Sequence, residues 1–412
     1  MDQRTQFQTL LFFLRTKTDE LPYAGTISNE DWNDIIELSF RHGVAPLLSF
    51  RLQEKNLQQS IPPEILKKLQ SATLHTGLKN TKLYHELANV LNGFNQESIA
   101  VIVLKGAHLA ELIYPNIALR PMDDVDLLVK RNDLKRAEEK LFEMGYVHLT
   151  EDAERMKSTA PHHLTPFRKN GCSPIEVHWT LPSMGSVDKD VDDIWTRAQS
   201  VPIAGCQAHV LSPEDLLLHV CAHASLHHRF GLGLRPLADV AAITEWHSGV
   251  LDWAKVRRYA GKWRLITGVY LTLQLTKEMI GANIPDDALD AMRPADFDSK
   301  LSEWAKEQIF TRNSELGDSS AISPRLAGFL GPGSLSIKVK ELLRLAFPPR
   351  EEIARTNGIP IQSRRLIFFY PLHWKDILLL RGGVVWRLLL RDRETIEKTE
   401  MYQKLIDKPE RP

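Results

Sequence analysis

Two aspartates separated by one residue, Asp124 and Asp126, stand at the start of the apolar segment DVDLLV. Side chains two positions apart on a β-strand project from the same face, so a strand here would bring both carboxylates together. Neighbouring buried carboxylates repel each other and lose solvation, and a divalent cation between them removes that cost. Mg²⁺ prefers oxygen ligands and combines carboxylates with substrate phosphates. The pair therefore predicts a site for Mg²⁺, with Mn²⁺ as the alternative ion.

A third carboxylate, Glu176, interrupts a later apolar segment, IEVHW. Three carboxylates near a phosphate-binding turn are typical of a two-metal site for phosphoryl transfer, and the alternative is a rim of solvated acids at strand ends. His178 lies two residues after Glu176, so we expect it on the same strand face. It would orient a carboxylate or touch the acceptor, and the alternative is a structural histidine beside Trp179.

The segment LKGA upstream of the aspartates predicts a turn between a buried strand and a helix. Gly106 would let a phosphate approach the amide groups at the start of that helix, with Ala107 as the next residue of the turn. Lys105 and Arg120 are the nearest cations in sequence, and we expect them to contact phosphates. The alternative for both is ordinary ion pairing with nearby acids, namely Asp123 and Glu111.

Histidines recur at four-residue spacing in the segment HVCAHASLH, at His219, His223 and His227. This spacing aligns them on one helix face and is typical of zinc ligands, so a zinc-dependent hydrolase is one hypothesis. The glutamate of an H-E-x-x-H metalloprotease is missing, however. We favour a helix that closes the active-site cleft, where His223, His227 and the later Asp239 face the acceptor.

The elements that must position these residues follow from the spacing of apolar side chains. Apolar residues three and four apart predict an N-terminal helical region over 1–98 and a helical, acceptor-side domain over 183–300. Between them, 99–182 alternates short apolar strands with helices, which indicates an α/β core. The remaining region, 301–412, is predicted to be helical and to end in a basic-aromatic segment.

Four segments in this order, VLKGAHLAELIY, RPMDDVDLLV, IEVHW and RPLADVAAI, resemble the nucleotidyltransferase superfamily. Within it, the chain is similar to an uncharacterised bacterial branch. The resemblance implies an α+β fold with a mixed β-sheet core and helical segments at both ends. It also implies an enzyme that transfers a nucleoside monophosphate from a nucleoside triphosphate to a hydroxyl acceptor.

By this resemblance, Gly106 belongs to the nucleotide turn and three acids hold the metal: Asp124, Asp126 and Glu176. Ala107 stands where the superfamily usually has Ser or Gly. A second hypothesis is therefore a catalytically inactive protein of the same fold that binds a nucleotide or a partner. The sequence does not identify the acceptor, which is open among a small molecule, a saccharide, a protein and RNA.

Composition limits the remaining classes. Apolar residues make up 43% of the 412 residues, which predicts a folded core, and 52 basic residues balance 52 acidic ones, so no global field attracts nucleic acid. Three cysteines without a C-x-x-C pair favour a reducing cytoplasm over a disulfide framework. The N-terminal apolar run is too short for a signal peptide, and no apolar run is long enough for a spanning helix.

The segment 362–393 carries seven basic and two acidic residues with aromatic side chains between them. This composition fits weak docking on an anionic membrane surface or on a partner protein, which would make the protein membrane-peripheral. The alternative is an apolar helix packed on the domain with its arginine ends in solvent.

Overall fold

The computed structural model describes residues 1–15, 27–149, 162–181 and 188–312, with short stretches between 347 and 405. In this part of the chain, a seven-stranded mixed β-sheet is flanked by helices. The prediction of an α+β fold with a mixed sheet core and helical flanks is confirmed.

The sheet has the strand order β3-β4-β5-β2-β1-β7-β6. Its central strands are short and apolar, as the segments IAVIVL and DVDLLV predict. β2 pairs in parallel with β5 and antiparallel with β1, while β1 pairs in parallel with β7. The strands are β1 (Val101–Val103), β2 (Val125–Val129), β3 (Val147–His148), β4 (Phe167–Arg168), β5 (Ile175–His178), β6 (Gln199–Ile203) and β7 (Cys206–Val210).

Helices occupy most of the remaining described chain. They begin at recognisable signals: α8, for example, starts with Pro213, and the Ser212 side chain accepts a hydrogen bond from the Asp215 amide. The α-helices are α1 (Gln3–Leu14), α2 (Asn29–Arg41), α3 (Ala45–Glu54), α4 (Pro63–Gln96), α5 (Lys105–Leu112), α6 (Leu134–Glu143), α7 (Asp188–Arg197), α8 (Pro213–Ala222), α9 (Arg235–Trp246), α10 (Trp253–Lys262), α11 (Ile266–Leu275), α12 (Asp286–Met292) and α13 (Lys300–Thr311).

The two faces of the sheet pack against different apolar clusters. One face joins α4 and α6, and the other joins a larger helical core that includes Ile102 and Leu128. Strand side chains alternate between faces, so Asp126 shares the face of Leu128. Glu176 and His178 are likewise on the face of β5 opposite its apolar residues. The polar residues of β2 and β5 therefore point toward the larger helical core.

That larger core is built from distant parts of the chain. It contains Phe7 and Trp32 from the N-terminal helices, Leu216 and Leu271 from the helices after β7, and Leu405 near the C-terminus. The predicted regions 1–98 and 183–300 thus contribute to one shared core.

In the described ranges, no helix combines the length and apolarity needed to cross a membrane. Most of the predicted docking segment 362–393 lies outside the described residues. Its described beginning forms a 3₁₀ helix, Arg364–Phe368, in which Ile367 and Phe368 are 69% and 73% exposed.

Candidate active site

The site lies where the end of β1 meets the starts of β2 and β5. The parallel register of β2 and β5 places Asp126 directly opposite Glu176. The Leu104 amide donates a hydrogen bond of 3.0 Å to the Asp126 carbonyl, so α5 begins at the same edge of the sheet. The topology thus brings the turn, the first carboxylate segment and the third carboxylate together, although 50 residues separate Asp126 from Glu176 in sequence.

Asp126, Glu176 and His178 form a compact cluster, whose possible ligand atoms all lie within 4.8 Å of one another. His178 Nε2 is 2.9 Å from Asp126 Oδ1 and 3.5 Å from Glu176 Oε2. Lys105 Nζ lies 3.0 Å from the same Asp126 oxygen. The Asp126 side chain is 4% exposed and that of Glu176 is 27% exposed, so only the second is accessible to solvent.

In this cluster, contacts between neighbouring groups stabilise the ionised forms of the two carboxylates. Burial alone would raise the pKa of Asp126, but Lys105 and the hydrogen bond from His178 hold that pKa well below its usual range. Burial would lower the pKa of His178, but its hydrogen bonds to Asp126 and Glu176 raise it above the ordinary value. The hydrogen bond from His178 lowers the pKa of Glu176. Both carboxylates are therefore ionised at neutral pH.

Asp124 precedes β2 and is exposed at the mouth of the site. Desolvation of its carboxyl group and then the nearby Asp126 carboxylate raise the pKa of Asp124 to about 6. Glu176 also acts to raise it, while Lys105 opposes the shift. The structure thus places Asp124 within the electrostatic reach of the other two acids.

This donor set fits a hard divalent cation. The group that could hold an ion consists of Asp126, Glu176 and His178, and the predicted ligand Asp124 is not part of it. The carboxylate oxygens of this group are ligands that Mg²⁺ and Mn²⁺ take. The Lys105 ammonium group now neutralises Asp126, and His178 forms a hydrogen bond with the same carboxylate. A divalent cation bound here would replace that neutralising charge.

The predicted nucleotide turn has an internal partner. A Cβ on Gly106 would lie 2.7 Å from Arg120 Nη1 and 3.2 Å from Met122 atoms, so the absent side chain makes room for Arg120. Lys105 has a φ of +37°, a strained backbone conformation of the kind that recurs at functional sites. The Ala107 side chain is buried in the core, and its carbonyl accepts a 2.7 Å hydrogen bond from the Tyr84 hydroxyl.

Arg120 and Asp239 contact each other. Arg120 Nε and Nη2 donate to the two oxygens of Asp239 at 3.0 and 2.9 Å, and the Tyr114 hydroxyl donates at 2.9 Å. The Arg120 side chain is 11% exposed and that of Asp239 is 5% exposed. We expected Arg120 to contact phosphate and Asp239 to face the acceptor, but in the structure these two side chains form an ion pair with each other.

The other expected partners of these cations are also engaged elsewhere. Asp123 pairs with Lys79, and the Glu111 carboxylate accepts hydrogen bonds from the Ala204 amide. Lys105 therefore pairs with neither of them and holds Asp126 instead.

The histidine-rich segment after β7 reaches the same face of the sheet. α8 ends at Ala222, and His223–His227 forms a π-helical turn, so the predicted regular four-residue spacing is broken there. The His227 ring lies 5.3 Å from that of His162, which in turn lies 5.8 Å from the His178 ring. His223 stacks on His227 at 5.9 Å.

Burial is the main reason why the pKa values of His219 and His223 are well below the ordinary value. Both are therefore neutral imidazoles at neutral pH. His223 Nε2 lies 3.1 Å from His228 Nε2, but among the described residues the group of three metal-competent side chains is Asp126, Glu176 and His178. Among the described residues, this segment therefore offers zinc two neighbouring histidines, and not the three ligands that the zinc hypothesis requires.

His162 and His163, which sequence reasoning treats as loop residues only, lie beside the carboxylate cluster. They precede β4 and line β5: the Trp179 amide donates to the His162 carbonyl, and His163 forms an isolated bridge with His178. A pair of adjacent histidines shortly before an acidic strand was the available signal. That this pair lies beside β5 depends on the tertiary fold, which the local sequence does not show.

A mixed sheet with two adjacent acidic strands beside a glycine turn is consistent with a nucleotidyltransferase-like fold. A family model described as an uncharacterised nucleotidyltransferase matches residues 28–281. The chain belongs to this family, whose name indicates nucleotidyl transfer from a nucleoside triphosphate. Neither the curated proteins nor the solved structures contain a match to the chain.

Proposed function

We propose that the protein transfers a nucleoside monophosphate from a nucleoside triphosphate to a hydroxyl acceptor, with Mg²⁺ or Mn²⁺ held by Asp124, Asp126 and Glu176. The observation that carries the proposal is the register of β2 and β5, which sets Asp126 opposite Glu176 at the start of α5. Metal-bound carboxylates beside a helix N-terminus suit a triphosphate, because the first amides of a helix have no intrahelical partner.

When bound at these carboxylates, the divalent cation would neutralise phosphate charge and favour the ionised acceptor hydroxyl. Lys105 contributes from the protein side. Its ammonium group stands at the first residue of α5, where it adds positive charge to the unpaired amides. Once the divalent cation neutralises Asp126, we assign the Lys105 ammonium group to contact with the phosphates.

Glu176 is the acid that we assign to the acceptor proton. It is partly exposed, and its hydrogen bond with His178 keeps it ionised and oriented. The acceptor oxygen forms a bond to the α-phosphorus, its proton passes to Glu176, and the bond to the bridging oxygen breaks to release pyrophosphate. His178 acts through Glu176 and Asp126 and is a positioning residue.

The acceptor side is the wall that carries His223 and His227. Neutral imidazoles offer hydrogen-bond donors and acceptors without adding charge near the triphosphate. Asp239 does not belong to this wall because Arg120 and Tyr114 occupy its carboxylate.

Labelled nucleotides test the proposal. The full chain is incubated with Mg²⁺, each of the four nucleoside triphosphates and separate pools of small molecules, saccharides, proteins and RNA. Label from the α-phosphate should become attached to one acceptor class, whereas label from the γ-phosphate should leave with pyrophosphate. Transfer of γ-label would contradict nucleotidyl transfer, and nucleotide binding without transfer to any pool would favour the inactive alternative.

A further inference from the structure

Large apolar side chains are exposed together in the described stretches between 347 and 375. Phe347 and Trp374 are 51% and 39% exposed. Ile367 and Phe368, on the 3₁₀ helix Arg364–Phe368, are exposed still further. The Phe347 ring lies 5.4 Å from the Trp374 ring and 6.1 Å from the Tyr370 ring, so the two ends of this part of the chain meet. Exposed apolar side chains that form a group mark an interaction surface, whereas single ones are ordinary. We call Phe347, Ile367, Phe368 and Trp374 the apolar patch.

A small apolar core of its own supports the patch. Leu366 and Ile353 are buried in this core, and Tyr370 packs against them. The cluster is distinct from the two apolar clusters that cover the sheet. The Tyr370 hydroxyl also donates a hydrogen bond of 2.9 Å to the Pro348 carbonyl. Contacts among neighbouring residues therefore hold the patch in place while its own side chains stay exposed.

Basic side chains accompany the patch. Arg365 and Lys375 are exposed, and among the described residues neither has an acidic partner. Arg350 Nη2 donates a hydrogen bond of 3.3 Å to the Ser363 carbonyl, which places a third cation at the start of the 3₁₀ helix. Over 362–393, seven basic residues outnumber two acidic ones. The charge that surrounds the apolar patch is therefore positive, although the whole chain is neutral.

An anionic lipid surface fits both features. Aromatic and long aliphatic side chains enter the boundary between headgroups and acyl chains, and arginine and lysine beside them attract anionic headgroups. A second copy of the chain fits less well. A symmetric contact through the patch would bring the basic residues of one copy against the same basic residues of the other, and like charges repel.

We propose that the apolar patch, with Arg350, Arg365 and Lys375 around it, docks the protein on an anionic membrane surface. The contact is peripheral: the side chains of the patch enter the interface, and the chain does not cross the bilayer. The inference does not rest on the proposed function, because none of these residues belongs to the candidate active site.

Co-sedimentation with vesicles tests the proposal on the full chain. One set of vesicles contains phosphatidylcholine alone, and the other also contains phosphatidylglycerol. We expect binding to the anionic vesicles that weakens as the salt concentration rises, because salt screens surface charges. Ile367→Ser/Phe368→Ser and Arg365→Gln/Lys375→Gln should each weaken this binding by about tenfold or more. All four side chains are exposed, so these changes should leave the melting temperature unchanged.

Two control variants carry the same kinds of change elsewhere on the surface. Trp246→Ser removes an exposed aromatic side chain at the end of α9, and Lys67→Gln removes an exposed charge on α4. Both should bind anionic vesicles as the unmodified chain does. Asp126→Asn should abolish nucleotidyl transfer and leave vesicle binding unchanged, which separates this inference from the proposed function.

Three results would overturn the proposal. The first is absence of binding to anionic vesicles, and the second is equal binding to both kinds of vesicle. The third is an equal loss of binding in the patch variants and the controls. Light scattering supplies a further check: a dimer that Ile367→Ser/Phe368→Ser dissociates, without vesicle binding, would assign the patch to a second copy of the chain instead.

Discussion

Arg120 and Asp239 form a buried, bidentate ion pair across 119 positions of sequence, with N–O distances of 3.0 and 2.9 Å. Arg120 begins the segment RPMDDVDLLV and Asp239 lies in RPLADVAAI, so the pair joins the carboxylate segment to α9. Gly106 leaves the space into which the Arg120 guanidinium fits. The pair therefore fixes the turn, the carboxylates and the helical wall relative to one another.

Asp239→Asn should lower the free energy of unfolding by about 3–5 kcal/mol, because it leaves the Arg120 guanidinium buried without its anion. The double variant Arg120→Leu/Asp239→Leu should lose less stability than the sum of the losses in Arg120→Leu and in Asp239→Leu. Urea denaturation of the unmodified chain and of these three variants measures the coupling. Additive losses would show that the two side chains do not stabilise the fold as a pair.

Replacement by asparagine should change the stability of the metal-free protein in opposite directions at Asp124, which precedes β2, and at Asp126, which lies within it. Repulsion between neighbouring carboxylates alone would predict that asparagine stabilises the metal-free protein at either position. In the structure Asp126 pairs with Lys105 and forms a hydrogen bond with His178, so Asp126→Asn should destabilise the metal-free protein by about 3 kcal/mol. Asp124→Asn should stabilise it by about 1 kcal/mol above pH 6, a figure discounted for the exposure of Asp124.

The gain from Asp124→Asn should disappear as the pH falls from about 6 toward the ordinary aspartate pKa, because Asp124 of the folded protein then becomes protonated. Denaturation in EDTA at pH 7 and pH 5 measures both effects, with the exposed Asp287→Asn as control. Stabilisation by both amides, or by neither, would contradict the assigned ion pairs.

Sequence patterns predicted the parts of this site that depend on local spacing. The alternation in DVDLLV and IEVHW placed Asp126, Glu176 and His178 on strand faces, and the apolar periods predicted the flanking helices. The pairing of Arg120 with Asp239 was not predictable in this way, because it depends on how α9 packs on the sheet.

Acid should destabilise the protein through its neutral buried histidines. Burial, and then the charges of Arg41 and Arg312, lower the pKa of His42 to about 3. Because the unfolded chain takes up this proton near pH 6.5 and the folded protein does not, His42 alone should cost about 2 kcal/mol of stability between pH 7 and pH 5. Chemical denaturation of His42→Leu should show a smaller loss over this range, and an equal loss in both proteins would refute the assignment.

The histidines of α8 and the π-turn should not retain zinc. His223→Ala/His227→Ala should leave the metal content of the purified protein unchanged, because the described group of three metal-competent side chains lies on β2 and β5. Elemental analysis after removal of loosely bound metal is the measurement. Stoichiometric zinc that both alanine changes release would favour the hydrolase hypothesis.

The central claim is that the carboxylates of β2 and β5 bind a divalent cation together with a nucleoside triphosphate. Its most direct test is calorimetric binding of the four triphosphates in which a methylene group replaces the α,β-bridging oxygen, with Mg²⁺ or with EDTA. We predict that at least one binds with Mg²⁺ only, and that Glu176→Gln and Asp126→Asn each weaken it by about tenfold or more. Equal affinity in EDTA, or in both variants, would contradict the claim.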